Sequence, residues 1–262
     1  MIIILTYLCA GVFAGLTAGL FGVGGGIVVV PVLIFAFESQ GFSPEVLTHM
    51  AIATSLATIV FTSSSSMWSH HKKGAVLWEI FGPMSLGIVL GSLLGVWTVM
   101  QLKGELIKSL FGLFAIAVAF NMLLKRTSMG KKEFSQWPVF SIVGFFVAWF
   151  SALFGIGGGS LIVPFLSRYK IEMKQVVGTA AACGFPIAFV GALSNMLLGS
   201  NVPDRPDGSI GYVYLPALLG VSLTSIYCAN LGANFAHYLP PERLRLLFSA
   251  TLVLVGIKFL FF

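Results

Sequence analysis

Two glycine runs carry the most specific chemistry in this chain. Gly22-Val23-Gly24-Gly25-Gly26 ends five residues before Pro31, and Gly155-Ile156-Gly157-Gly158-Gly159 ends five before Pro164. Glycine accepts positive φ and lets other groups approach the backbone, and three in succession do not readily continue a helix. Each run is expected to break a helix, with new half-helices starting near Ile27 and Ser160. The first N–H groups of a half-helix lack intrahelical acceptors and carry positive partial charge, which suits an anion. The carbonyl ends of the same breaks suit Na+, so the breaks alone leave the sign of the ligand open. A nucleotide phosphate loop would need a following Lys-Ser/Thr and a preceding strand, and has neither. Close packing by small residues competes for these runs, and is the better reading of Gly11, Gly15 and Gly19 at four-residue spacing.

Hydroxyls are the other candidate donors. Thr54 with Ser55, and Thr179, each follow the broken segment of their own half of the chain. Many of the remaining Ser and Thr are expected only to bond back to helix carbonyls or to join helices. No Lys, Arg, Asp or Glu stands in the middle of an apolar span, and the nearest candidates for a proton relay, Glu79 and His49, read as interfacial. A site of neutral donors without a fixed cation suits a small anion that must be released again. Cys9, Cys183 and Cys228 read as small core- or lipid-facing residues, with no metal site or cofactor. With no buried acid–base pair, metal-ligand cluster or activated nucleophile, the chain is not expected to be an enzyme.

The elements that must position these groups follow from composition. Only 9% of the 262 residues are charged while 57% are hydrophobic, too few charges to cover a water-soluble surface. The solvent for most of this surface is lipid, so the chain reads as an all-α polytopic membrane protein. The net charge of +6 is spread over short loops, which excludes a nucleic-acid binder. Apolar segments fall at 2–37, 46–68, 76–99, 106–124, 139–166, 176–198, 212–235 and 244–262. As one straight helix, residues 2–37 would reach ~54 Å, against ~30 Å of hydrocarbon, so a hairpin broken at the glycines fits better.

The chain also repeats. The glycine runs are offset by 133 residues, and Gly74, Gly95, Leu102, Glu105 and Phe111 match Gly211, Gly232, Leu239, Glu242 and Phe248 at an offset of 137. The expected organisation is a first transmembrane repeat over 1–124, a cytoplasmic linker over 125–138 and a second repeat over 139–262, each of four segments. If all eight segments cross once, the 15 Lys and Arg divide eight to seven between the two faces. If each glycine-broken segment turns back, they divide eleven to four, with 69–75, 125–133, 167–174 and 237–245 on the positive face. The second arrangement obeys the positive-inside tendency and makes the repeats inverted.

The stretch from Gly15-Leu16-Thr17-Ala18-Gly19-Leu20-Phe21 through Gly26 to Pro31, and its second copy from Ser151 to Pro164, resembles the TauE/SafE family of sulfite and organosulfonate exporters, also called the toluene sulfonate uptake permease family. The resemblance extends over the whole chain. It implies a transporter of sulfite, thiosulfate, an organosulfonate or a similar small anion in the cell inner (plasma) membrane, by alternating access. By the family pattern Gly24, Gly25, Gly26, Gly157, Gly158, Gly159, Thr54 and Thr179 stand near the anion; Ser55 and Ser160, next to them in the chain, are further candidates from the sequence itself. Ala180-Ala181 replaces Ser55-Leu56 in the second half, which makes the site asymmetric. An anion channel or a membrane assembly factor on the same scaffold is the alternative. The coupling ion (H+ or Na+) and a homodimer stay open.

Overall fold

The computed structural model describes residues 2–21, 25–124, 137–236 and 241–261. Both long N-terminal segments of the repeats are broken at their glycines. The first becomes α1 (Ile2–Phe21) and α2 (Gly26–Ser39), the second α6 (Trp137–Phe154) and α7 (Gly159–Leu166). Each pair folds back on itself. The Tyr7 hydroxyl lies 3.0 Å from Gln40 Oε1, although 33 residues separate them; an unbroken helix would hold them ~50 Å apart. Phe140 of α6 likewise packs on Phe165 and Tyr169.

The remaining helices among the described residues are α3 (Pro44–Lys72), α4 (Trp78–Gln101), α5 (Gly104–Leu124), α8 (Met173–Leu198), α9 (Leu215–Ala236) and α10 (Pro241–Phe261). A two-residue hairpin, β1 (Ser209–Ile210) with β2 (Val213–Tyr214), precedes α9, paired Ser209 to Tyr214 and Ile210 to Val213. α3 starts with Pro44 at its first position and Glu45 in its first turn, and ends in His70, His71 and Lys72, a charge order that complements its dipole. Gly74, at φ 63°, ends it with the Ala75 N–H returning to His70 O at 3.0 Å. Among the described residues five helices are long and apolar enough to cross a bilayer: α3, α4, residues Gly104–Asn121 of α5, α6 and α8. The protein is an all-α, multi-pass membrane protein. α6 begins at Trp137, two residues inside the expected linker; residues 125–136 lie outside the described part.

Helices exchange partners between the halves. α1 packs most extensively on α9, and α4 on α6. In α4 the residues Gly87, Gly91 and Gly95 form a bare stripe, and the carbonyl oxygens of Ser141, Phe145 and Trp149 occupy the space that side chains there would need. Two side-chain bonds clamp the same seam, Ser141 Oγ to Pro83 O at 2.8 Å and Trp149 Nε1 to Thr98 Oγ1 at 3.1 Å. The opposite face of α4 presents Leu86, Leu90, Leu93 and Trp97 outward, as a lipid-facing surface requires. Gly11 and Gly15 bring α1 equally close to Val221 and Ser225 of α9, which is the small-residue packing expected of them. The surroundings of Gly19 lie outside the described residues.

α3 and α8 form the centre and run antiparallel. A Cβ on Gly191 would meet Leu56, whereas one on Gly184 would lie 3.7 Å from Ser63 Cβ. α5 and α10 also run antiparallel, because Gly112 faces Phe259 while Gly256 faces Ile116. In both pairs the two helices occupy equivalent places in the two sequence halves.

Candidate anion site at the paired helix breaks

The two breaks meet. A Cβ on Gly26, the first residue of α2, would lie 2.5 Å from Gly155 O and 2.9 Å from Ile156 Cα. Ser55 Oγ donates to the same Gly155 oxygen at 2.8 Å. Gly157 O packs on Gly184 of α8. The structure thus brings Gly26, Ser55 and the second glycine run together at the centre of the fold. Gly24 lies outside the described residues.

Gly25 and Gly158 take the same backbone form, with φ 72° and 74°, and each stands as N-cap to the half-helix that follows. Only glycine adopts this left-handed form without strain. At α7 the N–H groups of Leu161 and Ile162 return to Gly158 O at 3.0 and 2.9 Å. The N–H groups of Gly159 and Ser160 have no acceptor among the described residues. Two hydroxyls stand beside them. Ser160 Oγ, in the first turn of α7, and Ser151 Oγ, in the last turn of α6, are buried without a partner. Ser151 is 1% exposed, and its oxygen lies 3.5 Å from where a Cβ on Gly158 would be. A buried hydroxyl without a hydrogen bond costs about 1–3 kcal/mol, so these two and the neighbouring N–H groups form a cluster of unsatisfied donors among the described residues. The equivalent positions of the first half hold Ala18 and Ile27. Ser151 was not among the residues singled out in the sequence. Its signal was a serine replacing the Ala18 of the other repeat.

Thr54 and Thr179 occupy matching posts between the halves. Thr54 Oγ1 accepts the Tyr214 N–H, and Thr179 Oγ1 the Leu77 N–H, both at 3.0 Å. Leu77 and Tyr214 are the residues just before α4 and α9 and are 137 apart. Each threonine therefore ties the long helix of one half to the entry of a helix in the other. A hydroxyl that accepts one bond still has a proton to donate, and neither donates to another described group. Ala180 offers nothing equivalent to Ser55, so the hydroxyls concentrate on the second break.

No Asp, Glu, Lys or Arg among the described residues is buried, and no group of three or more His, Cys, Asp or Glu among them could hold a metal ion. Burial pushes the Tyr212 phenol above its ordinary range, an effect the nearby Arg205 charge partly offsets.

The family model described as sulfite exporter TauE/SafE matches residues 7–259. The chain belongs to the TauE/SafE family. Among relatives of this TauE/SafE protein, a probable membrane transporter protein of Haemophilus influenzae is 35% identical over 97% of both chains. One of Methanocaldococcus jannaschii is 30% identical over 94% of this chain and 91% of its own. One of Bacillus subtilis is 26% identical over 96% and 95%. No solved structure matches. Family and relatives together make the protein a membrane transporter, not an enzyme.

Proposed function

We propose that this TauE/SafE protein is a secondary transporter of a small sulfur-containing anion, such as sulfite, thiosulfate or an organosulfonate, in the cell inner membrane. The observation that carries the reading is the group at α7: the free Gly159 and Ser160 N–H groups with the unpartnered Ser151 and Ser160 hydroxyls. These are hydrogen-bond donors without a fixed positive charge, matched to the several acceptor oxygens of a sulfur oxyanion. Gly25, Gly26 and Ser55 approach from the first half. Thr54 and Thr179 hold the two halves in register and lend hydroxyl protons as the site opens.

The repeats are inverted in this reading, and access alternates by one half rocking against the other. The antiparallel α3–α8 and α5–α10 pairs, the folded-back breaks and the eleven-to-four division of Lys and Arg support it. Single cysteines at Ser39 and Lys170 are expected to react with impermeant maleimide from opposite sides of the membrane; reaction from one side would sink the inverted arrangement.

A thermal-shift screen of purified protein with sulfite, thiosulfate, sulfoacetate, taurine and sulfate tests the substrate. Selective stabilisation by one of them is expected, since a ligand that binds only the folded state raises its stability. Ser151→Ala is expected to weaken that binding about tenfold, equivalent to one lost hydrogen bond of ~1.4 kcal/mol. No shift with any anion, together with no flux into proteoliposomes under any ion gradient, would reject the sulfur-anion reading.

A further inference from the structure

Away from the breaks, one ionisable side chain is buried in a setting built for a proton. His49, in the second turn of α3, is 6% exposed. Its Nε2 lies 3.1 Å from Val99 O, in the last turn of α4. A carbonyl can only accept, so Nε2 carries the hydrogen, and the neutral ring must leave Nδ1 as a bare lone pair. Nδ1 is buried with no partner. It is therefore a proton acceptor held ready by the tautomer that Val99 fixes.

Burial away from water opposes a charge on this ring, and three features work against that cost. The carbonyl end of α4 carries the negative pole of that helix, and the Leu102 and Glu45 carbonyls also face the imidazole. The Tyr212 ring stacks on it with centroids 5.5 Å apart, which offers a π face to a cation. Glu45 stands one turn earlier on α3. The charged groups on neighbouring elements are Lys103 and Glu105 at the α4–α5 junction, both exposed, and Arg205, which bonds Gly211 O next to Tyr212. None of them pairs with His49.

The position links this ring to the candidate site. Tyr212 lies in the turn of the β1–β2 hairpin, and two residues on, the Tyr214 N–H is held by Thr54. Tyr214 also packs on Tyr7, Phe37 and Phe42, at the open end of the α1–α2 hairpin. Any movement of the second half against α3 must change both the His49–Tyr212 stack and the Thr54–Tyr214 bond.

We propose that His49 binds the coupling proton of transport at Nδ1, and that its charge state sets the His49–Tyr212 contact and, through the hairpin, the Thr54 contact between the halves. This rests on the transporter reading above. In proteoliposomes, [35S]thiosulfate, whose charge does not change between pH 6 and 8, is expected to accumulate when a pH gradient is imposed. His49→Gln keeps a donor for Val99 O but cannot take a proton, and is expected to lose at least tenfold in gradient-driven accumulation of thiosulfate relative to its own gradient-free exchange. Where the wild type carries thiosulfate, accumulation by His49→Gln equal to wild type, or wild-type accumulation indifferent to the gradient, would overturn the proposal. A second readout needs no substrate. In 15N-histidine spectra of the whole protein in nanodiscs, the resonance lost in His49→Gln is expected to show the Nε2–H tautomer at pH 8 and a protonated Nδ1 at lower pH. A bare Nδ1 down to pH 5 would overturn the proton site even if transport is intact. A titrating Nδ1 in protein that moves no thiosulfate would uphold the proton site and fault the substrate reading instead.

Discussion

Gly158→Val is expected to abolish stabilisation by whichever sulfur anion stabilises the wild-type protein, with affinity falling at least a hundredfold. Two effects add. Gly158 sits at φ 74°, where a side chain costs about 1–2 kcal/mol and a β-branched one more. A Cβ there would also lie 2.5 Å from Ile187 Cδ1 and 3.5 Å from Ser151 Oγ, so the valine methyls enter the space the hydroxyl faces. The half-helix start that presents the Gly159 and Ser160 N–H groups then moves or fills. Gly158→Ala carries the backbone strain without the extra methyls, and is expected to lose less. Titration calorimetry on protein that elutes as folded material checks both variants. Wild-type affinity in Gly158→Val would remove the second break from the binding site.

Gly91→Leu is expected to have the largest effect on folding. The carbonyl of Phe145 on α6 already fills the space beside Gly91, and Gly87 and Gly95 make the same approach one turn to either side. A leucine must push α4 and α6 apart along the whole stripe. That strains the Ser141–Pro83 and Trp149–Thr98 bonds as well as the packing. Overpacking of this kind costs about 1–3 kcal/mol or more; at the upper end this corresponds to a fall in melting temperature of about 6–12 °C. Gly82 lies on the same helix with nothing within 4 Å of its missing Cβ. Gly82→Leu is therefore expected to shift melting by no more than ~2 °C. Equal losses in the two variants would show that the stripe does not set the α4–α6 distance.

The helices themselves are legible in the sequence. Apolar length and scarcity of charge require them, because backbone groups in lipid must be satisfied within the segment. The breaks were legible too, since Gly24-Gly25-Gly26 and Gly157-Gly158-Gly159 repeat in equivalent places. What could not be read was where each hydroxyl points. Thr54 and Thr179 are repeat-related in the sequence, but that each holds the backbone of the other half depends on the exchange of helix partners, and sequence offsets carry no partner information. The role of Gly87 and Gly91 is not legible either, because a glycine stripe looks the same whether it faces lipid, ligand or another helix.

Composition, periodicity and repetition thus determined the solvent, the helical class and the places where helices must break, because these follow from local backbone and transfer energetics. Only the tertiary structure decided that the breaks meet across the repeats, that unpartnered hydroxyls gather at the second of them, and that His49 is buried against the end of α4 and not left at the surface. Those are contacts between residues about 50 to 160 apart in the chain, and closing such separations depends on how whole helices pack, which no local pattern encodes.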